Sequence, residues 1–144
     1  MSERKQNKKI DKRAPVIVGV GDLVDRSKED GLNPQELLAK ACEHAIQDSG
    51  IKELNKHIDY MGVVRFTVDF LTATNQSNFQ YSNFPRTLAN KLNISAKNEV
   101  YAPMGGNSPQ VLLEDALVKI STGETDCALL SGGEALQTMI AKLK

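Results

Sequence analysis

Two glycine-bearing turns hold the residues best placed for chemistry: Gly19-Val20-Gly21-Asp22 and Gly105-Gly106-Asn107-Ser108. The second is followed by Pro109 and by apolar residues at helical spacing, so it opens a helix. The free N–H groups and positive dipole end of such a helix favour an anion or a developing oxyanion. Glycines there would let a ligand approach the backbone closely. A tight strand-to-helix turn uses the same residues with no ligand at all, and the sequence leaves both readings open. Ser108 is the only hydroxyl beside this turn. Acting as a nucleophile it would need a base, and none accompanies it; as a helix cap it needs nothing more. Neither turn completes a Walker loop or a Gly-x-Gly-x-x-Gly fingerprint, so nucleotide binding gains little support.

The rest of the inventory is thin. Cys42 falls on an apolar helix face and Cys127 on an apolar run, where cysteine behaves as a small hydrophobe. Neither stands at a helix N-terminus, where a thiolate would be stabilised. His44 and His57 read as surface histidines, and Asp22, Asp25, Glu114 and Asp115 form no metal-ligand pattern. Gly132-Gly133-Glu134 either points a carboxylate into a site or starts a capped helix.

The elements that would position these residues alternate between two periods. Val16-Ile17-Val18-Gly19-Val20-Gly21 is a continuous β-branched run closed by glycine, as in a strand buried on both faces. Asn33-Pro34-Gln35-Glu36 is a helix entry with a capping box; Leu38, Ala41, Cys42, Ala45 and Ile46 recur at helical spacing, and Gly50 stops the helix. Tyr60 to Val68 predicts a strand, Pro85 to Leu92 a short helix, and Glu99 to Ala102 a third strand. The helix after the second turn, capped at Ser108, carries Val111, Leu112, Leu113, Ala116, Leu117, Val118 and Ile120. That set covers most of its circumference and predicts burial on more than one side. Gly123 ends it, Cys127 to Leu130 is a fourth strand, and a last helix starts at Glu134. The order predicts an α/β fold, a mostly parallel sheet with helices on both faces. In such a sheet ligands gather beyond the carboxyl ends of the strands, where both glycine turns lie. The polar stretch Asp69 to Ser82 is expected to be an exposed loop on that side.

Composition narrows the class. The 144 residues carry 18 basic and 18 acidic side chains and 40% apolar residues, the usage of a single globular domain. A neutral balance argues against nucleic-acid binding, and no apolar run reaches the length of a membrane span. Two cysteines are too few for a disulfide scaffold, so a reducing cytoplasm is the expected compartment. Residues 1–13 hold six bases against Glu3 and Asp11. They read as a disordered basic arm rather than a tether or an organelle address, with the domain running from Ala14 to Lys144.

Several motifs together resemble the thiolases. Ile120-Ser121-Thr122-Gly123, the strand Asp126 to Leu130 and Ser131-Gly132-Gly133-Glu134 are similar to the thiolase order of helix, Ile-x-x-Gly, strand and Gly-Gly-x-Glu. Pro15 to Gly21 looks like the first strand of those proteins. Gly105-Gly106-Asn107-Ser108-Pro109-Gln110 looks closest to the branch related to the sterol-carrier thiolases. The resemblance runs from about Pro15 to Lys144.

It implies the N-terminal part of an acyl-CoA acyltransferase of the acetyl-CoA acetyltransferase type. No cofactor is implied, only a coenzyme A thioester as substrate or ligand. A thiolase uses a cysteine at the N-terminus of the buried helix as nucleophile, and later cysteine and histidine residues move protons. Registering Gly123 and Glu134 on that pattern puts the nucleophile's slot at Gly106, give or take one residue, where no thiol stands. A thiolase subunit also holds two similar α/β halves, and this sequence corresponds to less than the first.

Inactivity alone is therefore expected. The residues Gly105, Gly106, Asn107 and Ser108 would bind substrate rather than catalyse. The alternatives are a non-catalytic acyl-CoA-binding or dimerisation module, and an enzyme with altered chemistry on Ser108. A homodimer through Glu99 to Ala102 is expected, or else a separate C-terminal half. A sheet edge, or an apolar face meant for that half, should stand exposed.

Overall fold

The computed structural model describes residues 11–27, 31–67 and 81–142. Its centre is a three-stranded parallel sheet of β1 (Tyr60–Val64), β2 (Asn98–Ala102) and β3 (Ala128–Ser131), in the order β2-β1-β3. Tyr60 lies opposite Asn98 on one side and Ala128 on the other, so all three strands start at the same level and end within one residue of each other. Among the described residues four α-helices precede, connect or follow them: α1 (Pro34–Asp48), α2 (Phe84–Lys91), α3 (Ser108–Thr122) and α4 (Leu136–Lys142). The α/β fold class expected from the alternating pattern is the one observed.

Local chemistry sets most of the boundaries. Asn33 Oδ1 accepts the Glu36 N–H at 2.9 Å while Glu36 Oε2 accepts the Asn33 N–H at 3.1 Å, a complete capping box that starts α1. Asn33, Pro34 and Glu36 thus act as the sequence predicts. Gly123, at φ +81°, closes α3 in the left-handed conformation that glycine adopts without a Cβ penalty. At α2, Asn83 caps the helix by accepting the Arg86 N–H.

The sheet separates two unequal layers. Met61 and Val63, fully buried, face α1 and α2 and join Leu38, Phe66, Phe84 and Leu88 in the main core. Phe84 is its hub, with ring centroids 4.9 Å from Phe66, 4.9 Å from Tyr81 and 5.9 Å from Tyr101. On the other face, Tyr60 and Gly62 meet α3. The Tyr60 hydroxyl donates to Asp115 Oδ2 at 2.7 Å. A Cβ on Gly62 would come within 3.2 Å of Leu112, so glycine lets α3 lie close on the strand.

Several expectations need correction. The run Val16 to Gly21 is not a strand in the structure; Val16 is 75% and Ile17 80% exposed. Its β-branched residues suit a sheet, but no strand among the described residues pairs with it. It instead lies along α1 as an extended arm. Any Cβ on Gly19 or Gly21 would strike the carbonyl of Ala45 or Ala41, so these glycines allow backbone to meet backbone. The Val20 N–H donates to Asp48 Oδ2, and His44 Nδ1 lies 2.9 Å from the Asp22 carbonyl.

The helix α3 is buried along a single stripe, Ser108, Leu112 and Ala116; Val111, Leu113, Leu117 and Val118 are exposed because one sheet face is all that covers it. Strand β1 ends at Val64 rather than Val68, and α4 begins at Leu136 rather than Glu134. The loop expected over 69–82 lies outside the described residues up to residue 80, as do residues 1–10 of the basic arm. Arg13, placed in that arm, pairs with Asp126 at 3.0 Å on the surface.

Candidate functional site

Parallel strands that end nearly level, with a helix starting beside them, make a crevice at their carboxyl ends. Here a cleft of about 470 Å³ opens at the ends of β1 and β3 and against the first turn of α3. Val64, Pro109, Leu112 and Leu130 form its apolar wall, and Arg65, Ser131 and Glu134 its polar rim. The Arg65 guanidinium carbon lies 4.7 Å from the centre of the Tyr101 ring, a cation–π contact that holds this exposed cation at the rim. Glu134 accepts the Thr67 N–H at 2.9 Å and the Thr67 hydroxyl at 2.7 Å. Its carboxylate therefore ties the segment after β1 to the segment after β3, closing the crevice from one side.

The predicted turn sits next to this cleft without forming its lining. Gly105, Gly106 and Asn107 are all exposed, and a Cβ on Gly106 would meet nothing within 4 Å. The backbone there is open to a ligand. Ser108 is 3% exposed, and its hydroxyl donates to the Pro103 carbonyl at 2.6 Å. It does not cap α3: Asn107 holds that position, with no side-chain cap, and Ser108 is the first helical residue. The hydroxyl reaches back to fasten the turn because the chain reverses tightly between Pro103 and Ser108.

The anion-binding capacity of the α3 terminus is correspondingly small. The Ser108 N–H is spent on the Gly105 carbonyl, the Val111 N–H on the Asn107 carbonyl, and Pro109 has none. Of the first four helical positions only Gln110 can offer a donor.

Neither thiol is set up for nucleophilic work. Burial pushes the Cys42 thiol up to about 11, only partly offset by the neighbouring Ser131 hydroxyl. Burial likewise raises Cys127, with the Asp59 charge adding to it. Both cysteines are free, and both lie away from the α3 turn, in α1 and just before β3. His44 and His57 are exposed.

Sequence reasoning found Glu134 and the α3 turn but missed Arg65 and Thr67. Arg65 follows directly on the last residue of a parallel strand, a position that points to the ligand side; its signal was masked by treating Tyr60 to Val68 as one continuous strand.

No protein-family model matches the chain, and no curated protein does. Among solved structures the chain is similar to a monomeric SCP2-thiolase like protein type 1 (STLP1) from Mycobacterium smegmatis, at 31% sequence identity and a TM-score of 0.70. The match covers 87% of this chain and 24% of that one.

Proposed function

We propose that this chain, whose partial thiolase-like fold matches that solved structure, is the N-terminal part of an acyl-CoA acyltransferase of the acetyl-CoA acetyltransferase type, inactive by itself. The observation that carries the reading is the turn opening α3. In the resembling family a cysteine stands there, and here Gly105-Gly106-Asn107 occupy its slot while both cysteines lie elsewhere with raised pKa values. Ser108 gives no substitute, because its hydroxyl is buried and committed to the Pro103 carbonyl.

The chemistry left to the site is binding. The open backbone at Gly106 allows close approach of a thioester, the apolar wall of Val64, Leu112 and Leu130 suits an acyl group, and Arg65 suits the anionic portion of coenzyme A. The test is incubation of the purified chain with acetyl-CoA, followed by free-thiol assay and intact-mass spectrometry. No release of coenzyme A and no acetyl adduct is the expected result; an adduct that disappears in Ser108→Ala would overturn it in favour of serine chemistry.

The second reading, an acyl-CoA-binding or dimerisation module, is favoured by two observations: the uncrowded Gly106 turn, and the place of β2 at a sheet edge. Calorimetry with acetyl-CoA, and light scattering with and without it, separate this module from a chain that binds nothing.

A further inference from the structure

By sequence, Gly132-Gly133-Glu134 suits either a carboxylate aimed at a site or the start of a capped helix, and the structure gives it a different use. Helix α4 starts only at Leu136. The Glu134 carboxylate instead ties across one side of the cleft, where its Oε1 accepts both the Thr67 N–H at 2.9 Å and the Thr67 hydroxyl at 2.7 Å. The two glycines make that reach possible. A Cβ on Gly132 would stand 3.0 Å from the Val64 Cβ, and one on Gly133 2.9 Å from Leu38 Cδ1, so the tail of β3 lies directly against the end of β1. On the β1 side the parallel register ends at Val64. Beyond it, Phe66 is fully buried with its ring centroid 4.9 Å from that of Phe84, and Thr67 is held by Glu134. Arg65 immediately precedes these two fixed points, with its guanidinium carbon 4.7 Å from the centre of the Tyr101 ring.

We propose that Glu134 is a positioning residue for Arg65. By latching Thr67 it fixes the path of residues 65–67 and keeps the Arg65 guanidinium at the rim of the cleft, where an anionic ligand would meet it. Glu134 does this through its hydrogen bonds rather than its charge, and the two modes have opposite signs. A carboxylate at the rim repels an anionic ligand, so removing a mere bystander would tighten binding. Removing a latch weakens binding, because Arg65 loses its preorganised place. Glutamine separates the two, since it keeps an oxygen acceptor and drops the charge. The weakening rests on the reading of this cleft as a coenzyme A thioester site, whereas the placing of Arg65 does not.

The test compares the full chain with Glu134→Ala and Glu134→Gln in two measurements, after circular dichroism has shown both variants folded. In a proton–nitrogen correlation spectrum, the Tyr101 ring current displaces the Arg65 Nε–H resonance. That displacement should be lost in Glu134→Ala and kept in Glu134→Gln. In calorimetry with coenzyme A, Glu134→Ala should bind about tenfold more weakly than the parent, and Glu134→Gln at least as tightly as the parent. An Arg65 resonance unmoved in Glu134→Ala overturns the positioning role, and so does tighter binding by that variant. Loss of the displacement in both variants would assign the effect to charge and overturn the latch. If the parent binds no coenzyme A while the Arg65 resonance follows the expected pattern, the latch stands and the thioester reading of the cleft falls.

Discussion

The two faces of the sheet are built from similar residues and reach different ends. On the α1 and α2 face, Leu38, Met61, Val63, Phe84 and Leu88 are each at most 2% exposed. On the α3 face, Val111, Leu113, Leu117 and Val118 stay between 40% and 52% exposed, although α3 carries as many apolar residues as α1. The difference is in neighbours rather than in hydrophobicity. Two helices and the residues around Phe66 and Ile94 close the first face. A single stripe of α3 meets the second, and the arm from Pro15 to Gly21 stands apart from β3 instead of pairing with it. Burial energy is therefore concentrated in one layer, and the other layer stays largely open.

Phe84→Ala tests that concentration most severely. Removing the ring that touches Phe66, Tyr81 and Tyr101 should cost about 3–5 kcal/mol, a large share of the stability of a domain this size. Loss of cooperative thermal unfolding is the expected result, and a variant as stable as the parent would show that the first layer is not the anchor. Ser108→Ala should rank next, at about 0.5–1.5 kcal/mol, because it removes the part-buried 2.6 Å hydrogen bond that ties the start of α3 to the Pro103 carbonyl. Urea unfolding at fixed pH measures it. Val118→Lys, on the uncovered face, should change stability by no more than about 0.5 kcal/mol while reducing apolar-dye binding and aggregation. A large loss of stability would mean that this face is already packed in solution.

The sequence was most legible where chemistry is local. The capping box at Asn33 and Glu36, the left-handed Gly123 and the strands around Val63 and Tyr101 follow from residue type and spacing. It was least legible where a residue's state depends on a distant partner. Val16 to Val20 has the composition of an inner strand, yet pairing depends on what lies beside β3, which no local pattern encodes. The same holds for α3, where the circumference of apolar residues was read correctly and its burial was not. At the candidate site, the turn Gly105 to Ser108 could be placed but the role of Ser108 could not. Its hydroxyl bonds five residues back, a choice that the reversal at Pro103 makes and the capping preference of serine does not predict.

The smallest effect comes from Asp25, in the segment that leads from the exposed arm to α1. Its carboxylate accepts the Leu32 N–H at 2.6 Å and the Ser27 N–H at 2.9 Å, and these backbone bonds, Leu32 foremost, lower its pKa to about 2. A carboxyl group whose folded pKa is depressed contributes stability above its unfolded pKa, near 3.8, and loses it as pH falls through the folded value. The contribution is thus complete at neutral pH and disappears between about pH 4 and pH 2. Because Asp25 is solvated, the global midpoint should move little. Amide exchange at Leu32 should rise selectively in that window, and Asp25→Asn should show fast exchange there already at pH 7. If the whole domain unfolded in step with Asp25, the arm and the main core would be one cooperative unit, and the contrast between the closed and open layers would fail.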